Sequence, residues 1–143
     1  MSRSGYTDDC EDNLAHGRWR GAVKKATEGK RGQELLKELL VVLDAMPEKK
    51  LYANSFKDQS GGFCTLGVLG EKRGVKMDDL VDTNWGYPEC DAELVGKRFG
   101  IAHALAAEIM YMNDEGVMDF GDNRPKERWN RMRKWVADHI NKG

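Results

Sequence analysis

The residues best suited to nucleophilic chemistry are Cys64 with His103 or His139, but their spacing carries no recognisable catalytic signature. Cys64 sits beside Phe63 and Leu66 and reads as a buried thiol. No C-x2-C or H-x3-H pair exists, so a zinc site is not expected. The acidic residues Asp114, Glu115, Asp119 and Asp122 lack the order of a calcium loop and read as a solvated acidic loop. Lys30-Arg31-Gly32 at a helix start could hold a phosphate or sulfate on free backbone N–H groups. The G-x-x-x-x-G-K-[ST] string is absent, and a plain helical hairpin turn is the simpler reading. The expectation is therefore a protein without enzymatic activity, cofactor or metal, with Cys64/His chemistry as the remote alternative.

Charge offers more than these groups do. Arg18, Arg20, Lys24, Lys25, Lys30 and Arg31 cluster on the first helix and its turn. Near the end, Arg124, Arg128, Arg131 and Trp135 recur at i, i+4, i+7 and i+11, which places them on one helical stripe. Such a stripe could meet a phosphate backbone and stack a base, or meet an acidic protein surface. It could also pair with acidic residues inside the fold. The acidic set Asp114, Glu115, Asp119 and Asp122 is the second candidate surface, one that could imitate nucleic acid by offering carboxylates in place of phosphates.

The elements that must position these groups are mainly helical. A helix is expected over about 11–28, ending at Gly29, and a second from about Arg31 to Met46, stopped by Pro47. In the second, Leu35, Leu36, Leu39, Leu40, Leu43 and Met46 form one apolar stripe. The two should make an antiparallel hairpin. Leu51-Tyr52-Ala53 and Phe63-Cys64-Thr65-Leu66 flank a polar turn and suggest a small β-hairpin, with a helical turn from Cys64 to before Gly74 as the alternative. Residues 75–90 read as a loop. A helix should start near Asp91 as its cap, break at Gly100, and be followed by another over about Ala102–Met112. The last helix begins at Pro125 and runs to about Ile140, with Trp129, Met132, Val136 and Ile140 inward. The fold class is thus mainly α, about five helices with an inserted β-hairpin, α+β being the variant. One domain over 1–143 is expected, with residues 1–10 an irregular arm.

Helix, Phe99-Gly100-Ile101, helix has the outline of a helix-turn-helix. Its second helix, Ala102-His103-Ala104-Leu105-Ala106-Ala107-Glu108-Ile109, holds no Arg, Lys, Asn or Gln to read bases. A helical corner is the better reading. The chain has 143 residues and a net charge of −1, but the charge is segregated. Residues 1–76 carry 14 basic and 11 acidic side chains, 77–123 carry 2 and 11, and 124–143 carry 7 and 2. That segregation points to an electrostatic partner within or outside the molecule. The longest apolar run, Leu39–Leu43, is too short to span a bilayer, and the N-terminus has no apolar signal. Three widely spaced cysteines read as reduced thiols of a cytosolic protein.

Several strings together resemble a family of small proteins encoded by tailed phages and prophages. They are Met1-Ser2-Arg3-Ser4-Gly5-Tyr6 with Asp8-Asp9, Arg18-Trp19-Arg20-Gly21-Ala22-Val23, Gly29-Lys30-Arg31-Gly32-Gln33, Leu43-Asp44-Ala45-Met46-Pro47-Glu48-Lys49, Phe99-Gly100-Ile101, Asn113-Asp114-Glu115 and Arg128-Trp129. The resemblance covers most of the chain, while 77–90, with Trp85-Gly86-Tyr87-Pro88, departs from it. It carries no catalytic residues over. It implies a phage accessory protein in the bacterial cytoplasm that binds a host protein and inhibits antiviral defence. A nucleic-acid-binding regulator using the basic helices is the rival expectation.

Overall fold

The structure, a computed structural model, describes residues 13–52, 56, 62–77, 81–82, 89–90, 92–114 and 125–140. Among the described residues six helices follow one another: α1 (Asn13–Glu28), α2 (Lys30–Asp44), α3 (Thr65–Arg73), α4 (Ala92–Phe99), α5 (His103–Asp114) and α6 (Pro125–Asp138). The chain is mainly α, as its periodicity predicts. Two short strands, β1 (Val81–Asp82) and β2 (Glu89–Cys90), pair antiparallel with Val81 opposite Cys90.

The apolar stripe of α2 is buried through Leu35, Leu36, Leu39, Val42 and Leu43. The hairpin with α1 turns at Gly29, and the two helices come so close that a Cβ on Gly32 would lie 2.1 Å from the carbonyl oxygen of Ala26. The Lys49 ammonium donates to the carbonyls of Asp44 and Met46, closing the far end of α2.

Helix α5 is the centre of the fold. Every residue from Ala104 to Met110 is buried, and α1, α3, α4 and α6 pack around it. Gly100, at φ +74°, takes the left-handed conformation that lets α4 end and α5 begin at once. The Ile101 N–H then donates to the Gly96 carbonyl. The corner is structural: a helix buried along its length has no face left to enter a groove of DNA.

The β-hairpin expected across 51–66 is reduced, among the described residues, to one bond, from the Tyr52 N–H to the Phe63 carbonyl. The expected second arm is instead the start of α3, so the alternative helical reading holds. Cys64, extended at φ −82° and ψ 179°, caps α3 by accepting from the Gly67 N–H, and Gly74 at φ +70° ends it. Gly67 is required by a close approach, since a Cβ there would stand 1.9 Å from the Phe56 carbonyl oxygen. The β1–β2 pair is the other departure, lying where a plain loop was expected. The arm 1–10, the Asp91 cap and Trp85-Gly86-Tyr87-Pro88 lie outside the described residues.

Candidate functional site

The terminal arginine stripe does not form an open surface. Arg128 is only 4% exposed, and its Nε donates to the Asn113 carbonyl at 2.9 Å. Arg131, half-buried, donates from Nη2 to the carbonyls of Met112 and Asn113, both at 3.0 Å. These are last-turn carbonyls of α5, which have no partner within their own helix and carry the negative end of its dipole. Expecting Arg128 and Arg131 to be surface ligands therefore needs correction: they fasten α6 to α5. Trp135 stacks on His139, 4.4 Å between ring centres, at the core edge. Arg133 makes a bidentate pair with Asp44, at 2.6 and 3.1 Å. Arg124 of the expected stripe and Glu115, Asp119 and Asp122 of the expected acidic face lie outside the described residues. Asp114 ends α5.

The same end of α5 builds a polar hub around Asn113, which is fully buried. Its Oδ1 accepts from the Thr65 N–H at 3.0 Å and the Thr65 hydroxyl at 2.8 Å. Its Nδ2 donates to the Tyr52 carbonyl at 2.9 Å. With its own carbonyl taken by both arginines, one residue joins the start of α3, the chain after α2, and α6. No sequence signal marks it, because Thr65 and Tyr52 are 48 and 61 residues away.

The first basic cluster, in contrast, is open. Arg18, Arg20, Lys24, Lys25, Lys30 and Arg31 are all exposed. Arg20 pairs with Glu108 of α5, a carboxylate only 3% exposed. Among the described residues, no carboxylate pairs with Arg18, Lys24, Lys25, Lys30 or Arg31. Arg18 and Lys25, seven residues apart, share a face of α1. A cleft of about 420 Å³ on one side of α1 is lined by Arg20, Lys24, Thr27, Glu28, Asp138 and His139. A second, of about 460 Å³, opens on the other side. It is lined by Ala22, Ala26, Ala102 and Ala104 together with Lys25, Lys30, Arg31 and His103. This brings the start of α2 and the start of α5 together, a meeting that sequence spacing could not reveal.

Cys64 is fully buried, and its sulfur accepts from the Gly67 N–H at 3.3 Å. The His103 ring lies against Trp19 and that of His139 against Trp135. Among the described residues no group of three or more His, Cys, Asp or Glu is placed to hold a metal, and no helix is long and apolar enough to cross a membrane. Glu38 and Asp44 have carboxyls held below the ordinary range, chiefly by hydrogen bonds from Arg73 and Arg133 respectively. Both belong to pairs that tie α2 to α3 and α6. Comparison with protein-family models, with curated proteins and with solved structures finds no match to this chain.

Proposed function

We propose that this chain is a non-enzymatic binding protein that docks an acidic surface of a partner protein through the α1–α2 hairpin. One observation carries the reading. Arg18, Lys24 and Lys25 of α1 and Lys30 and Arg31 of α2 are exposed and lack carboxylate partners among the described residues, whereas Arg128, Arg131 and Arg133 of α6 are engaged within the fold. An uncompensated patch of one sign accelerates encounter with an oppositely charged partner and selects among partners. In keeping with the resemblance to phage proteins, the partner is a bacterial host protein, and inhibition of antiviral defence is the role we assign to the contact. A phosphate backbone would satisfy the same cations, so nucleic acid is the competing occupant.

The test is capture of partners from bacterial lysate by the tagged full chain, with Arg18→Glu/Lys24→Glu and Lys72→Glu variants alongside. A specific host protein should be retained by the wild type and by Lys72→Glu, lost by the double variant, and unaffected by nuclease. Retention by all three proteins would refute docking through α1. Loss of the captured material on nuclease treatment would assign the surface to nucleic acid.

A further inference from the structure

We propose that the cleft between the α1–α2 turn and the start of α5 is a seat for a phosphorylated small molecule. The cleft is lined by Lys25, Lys30 and Arg31 and by no acidic residue. None of the three is paired with a carboxylate among the described residues. Elsewhere the described arginines of α3 and α6 find carboxylates or carbonyls. Lys25, Lys30 and Arg31 line one concavity, and an anion seated in it would be attracted by all three.

The surroundings specify the anion further. A single carboxylate would leave two of three cations unanswered, whereas a phosphomonoester or pyrophosphate brings about two charges and several acceptor oxygens. Backbone groups of both senses meet at this turn, the last-turn carbonyls of Lys25 and Ala26 in α1 and the first-turn N–H groups of α2. Helix α2 begins at Gly29 with no side chain capping its first turn, and the start of α5 lines the same cleft. Four alanines, Ala22, Ala26, Ala102 and Ala104, are among the lining residues, so the anionic end can bring an apolar or flat organic body with it. The volume of about 460 Å³ exceeds what one phosphate fills and lies within the small-ligand range.

This inference shares Lys25, Lys30 and Arg31 with the docking surface, but Arg18 and Lys24 do not line this cleft, so variants at those two positions separate the readings. The experiment is calorimetric titration of the full chain with pyrophosphate, ATP and a 12-mer oligothymidylate at about 50 and 200 mM salt. Amide shifts are followed in parallel. Proteins are the wild type, Lys30→Gln/Arg31→Gln, and Lys37→Gln on the exposed side of α2 as control. The expected result is saturable 1:1 binding of pyrophosphate and ATP, with shifts at Gly29–Gly32 and Ala102–Ala104. Affinity should fall at least about 10-fold in the double variant, whose melting temperature is unchanged, and be retained by Lys37→Gln. No saturation by about 10 mM, or equal binding by the double variant, would overturn the proposal. So would an oligonucleotide binding tighter than ATP with shifts along Arg18 and Lys24, which would make the phosphate source a nucleic acid. Failure of the wild type to capture any host protein, with pyrophosphate binding intact, would count against docking alone.

Discussion

Replacing Asn113 by alanine tests whether the hub holds the helices together. Thr65 N–H can only donate and the Tyr52 carbonyl can only accept. Asn113 satisfies both in a single orientation, and its side chain is fully buried. Alanine removes three hydrogen bonds and strands the Thr65 N–H, the Thr65 hydroxyl and the Tyr52 carbonyl. A stranded buried donor costs about 1–3 kcal/mol, and the carbonyl less. The sum is about 3–6 kcal/mol, a large part of the total stability of a small domain. At about 3 °C per kcal/mol for a chain of this size, the melting temperature should fall by about 10–20 °C. Urea unfolding followed by circular dichroism measures the free energy directly. Thr65→Val, which removes only the hydroxyl, should cost about 1 kcal/mol. The combined variant should lose less than the two losses added, because both remove the same bond. A loss below about 1 kcal/mol for Asn113→Ala would show that the hub is not structural.

The other predictions concern separate parts of the fold. Arg131→Ala should lower stability by about 1.5–3 kcal/mol in urea melts, because α5 loses a charged donor at its last carbonyls. Arg18→Gln should leave the same melt unchanged within about 0.5 kcal/mol. Gly67→Ala should destabilise by about 3 kcal/mol, since its Cβ meets the Phe56 carbonyl oxygen and α3 must shift away from that backbone. Glu38 and Asp44 have depressed carboxyl pKa values in the fold, so the stability they supply is present above their unfolded values and lost as pH falls through the folded ones. Acid unfolding followed between about pH 5 and 2 should be shallower in Glu38→Gln/Asp44→Asn than in the wild type. The Cys64 thiol, sealed at the cap of α3, should react with a thiol reagent only on unfolding. Fast modification of Cys64 in a native protein carrying Cys10→Ser and Cys90→Ser would contradict its place.

What the sequence reveals here depends on how far each signal reaches. The stripes of α2 and α6 were legible because burial on one face imposes a helical period, and Pro125 and Gly100 mark boundaries by local backbone chemistry. Helix α3 was harder, because Thr65 through Gly70 are buried on every side and buried helices show no alternation. The arginine stripe is correctly spaced, but its partners inside the fold are backbone carbonyls and not the acidic residues the sequence suggests, and carbonyls have no residue type to betray them. The basic cluster on α1 and α2 was visible as composition. Its cleft was not, because Ala102–Ala104 reach it from some 70 residues further along the chain.

The unequal anchoring of the helices has a dynamic consequence. Helix α1 fully buries only Val23 and Thr27 among its described side chains, and it carries Gly17 and Gly21 with open space where a Cβ would be. Glycine weakens a helix interior, and few apolar contacts compensate. The helix that displays Arg18, Lys24 and Lys25 is therefore poised to open more readily than α2 or α5, and its amides should exchange with solvent first. On the docking proposed above, a partner that closes on α1 must also quieten it, and part of the affinity is consumed in doing so. Adding helix formers at Gly17 and Gly21 would pre-stiffen α1 and tighten binding without touching a charge.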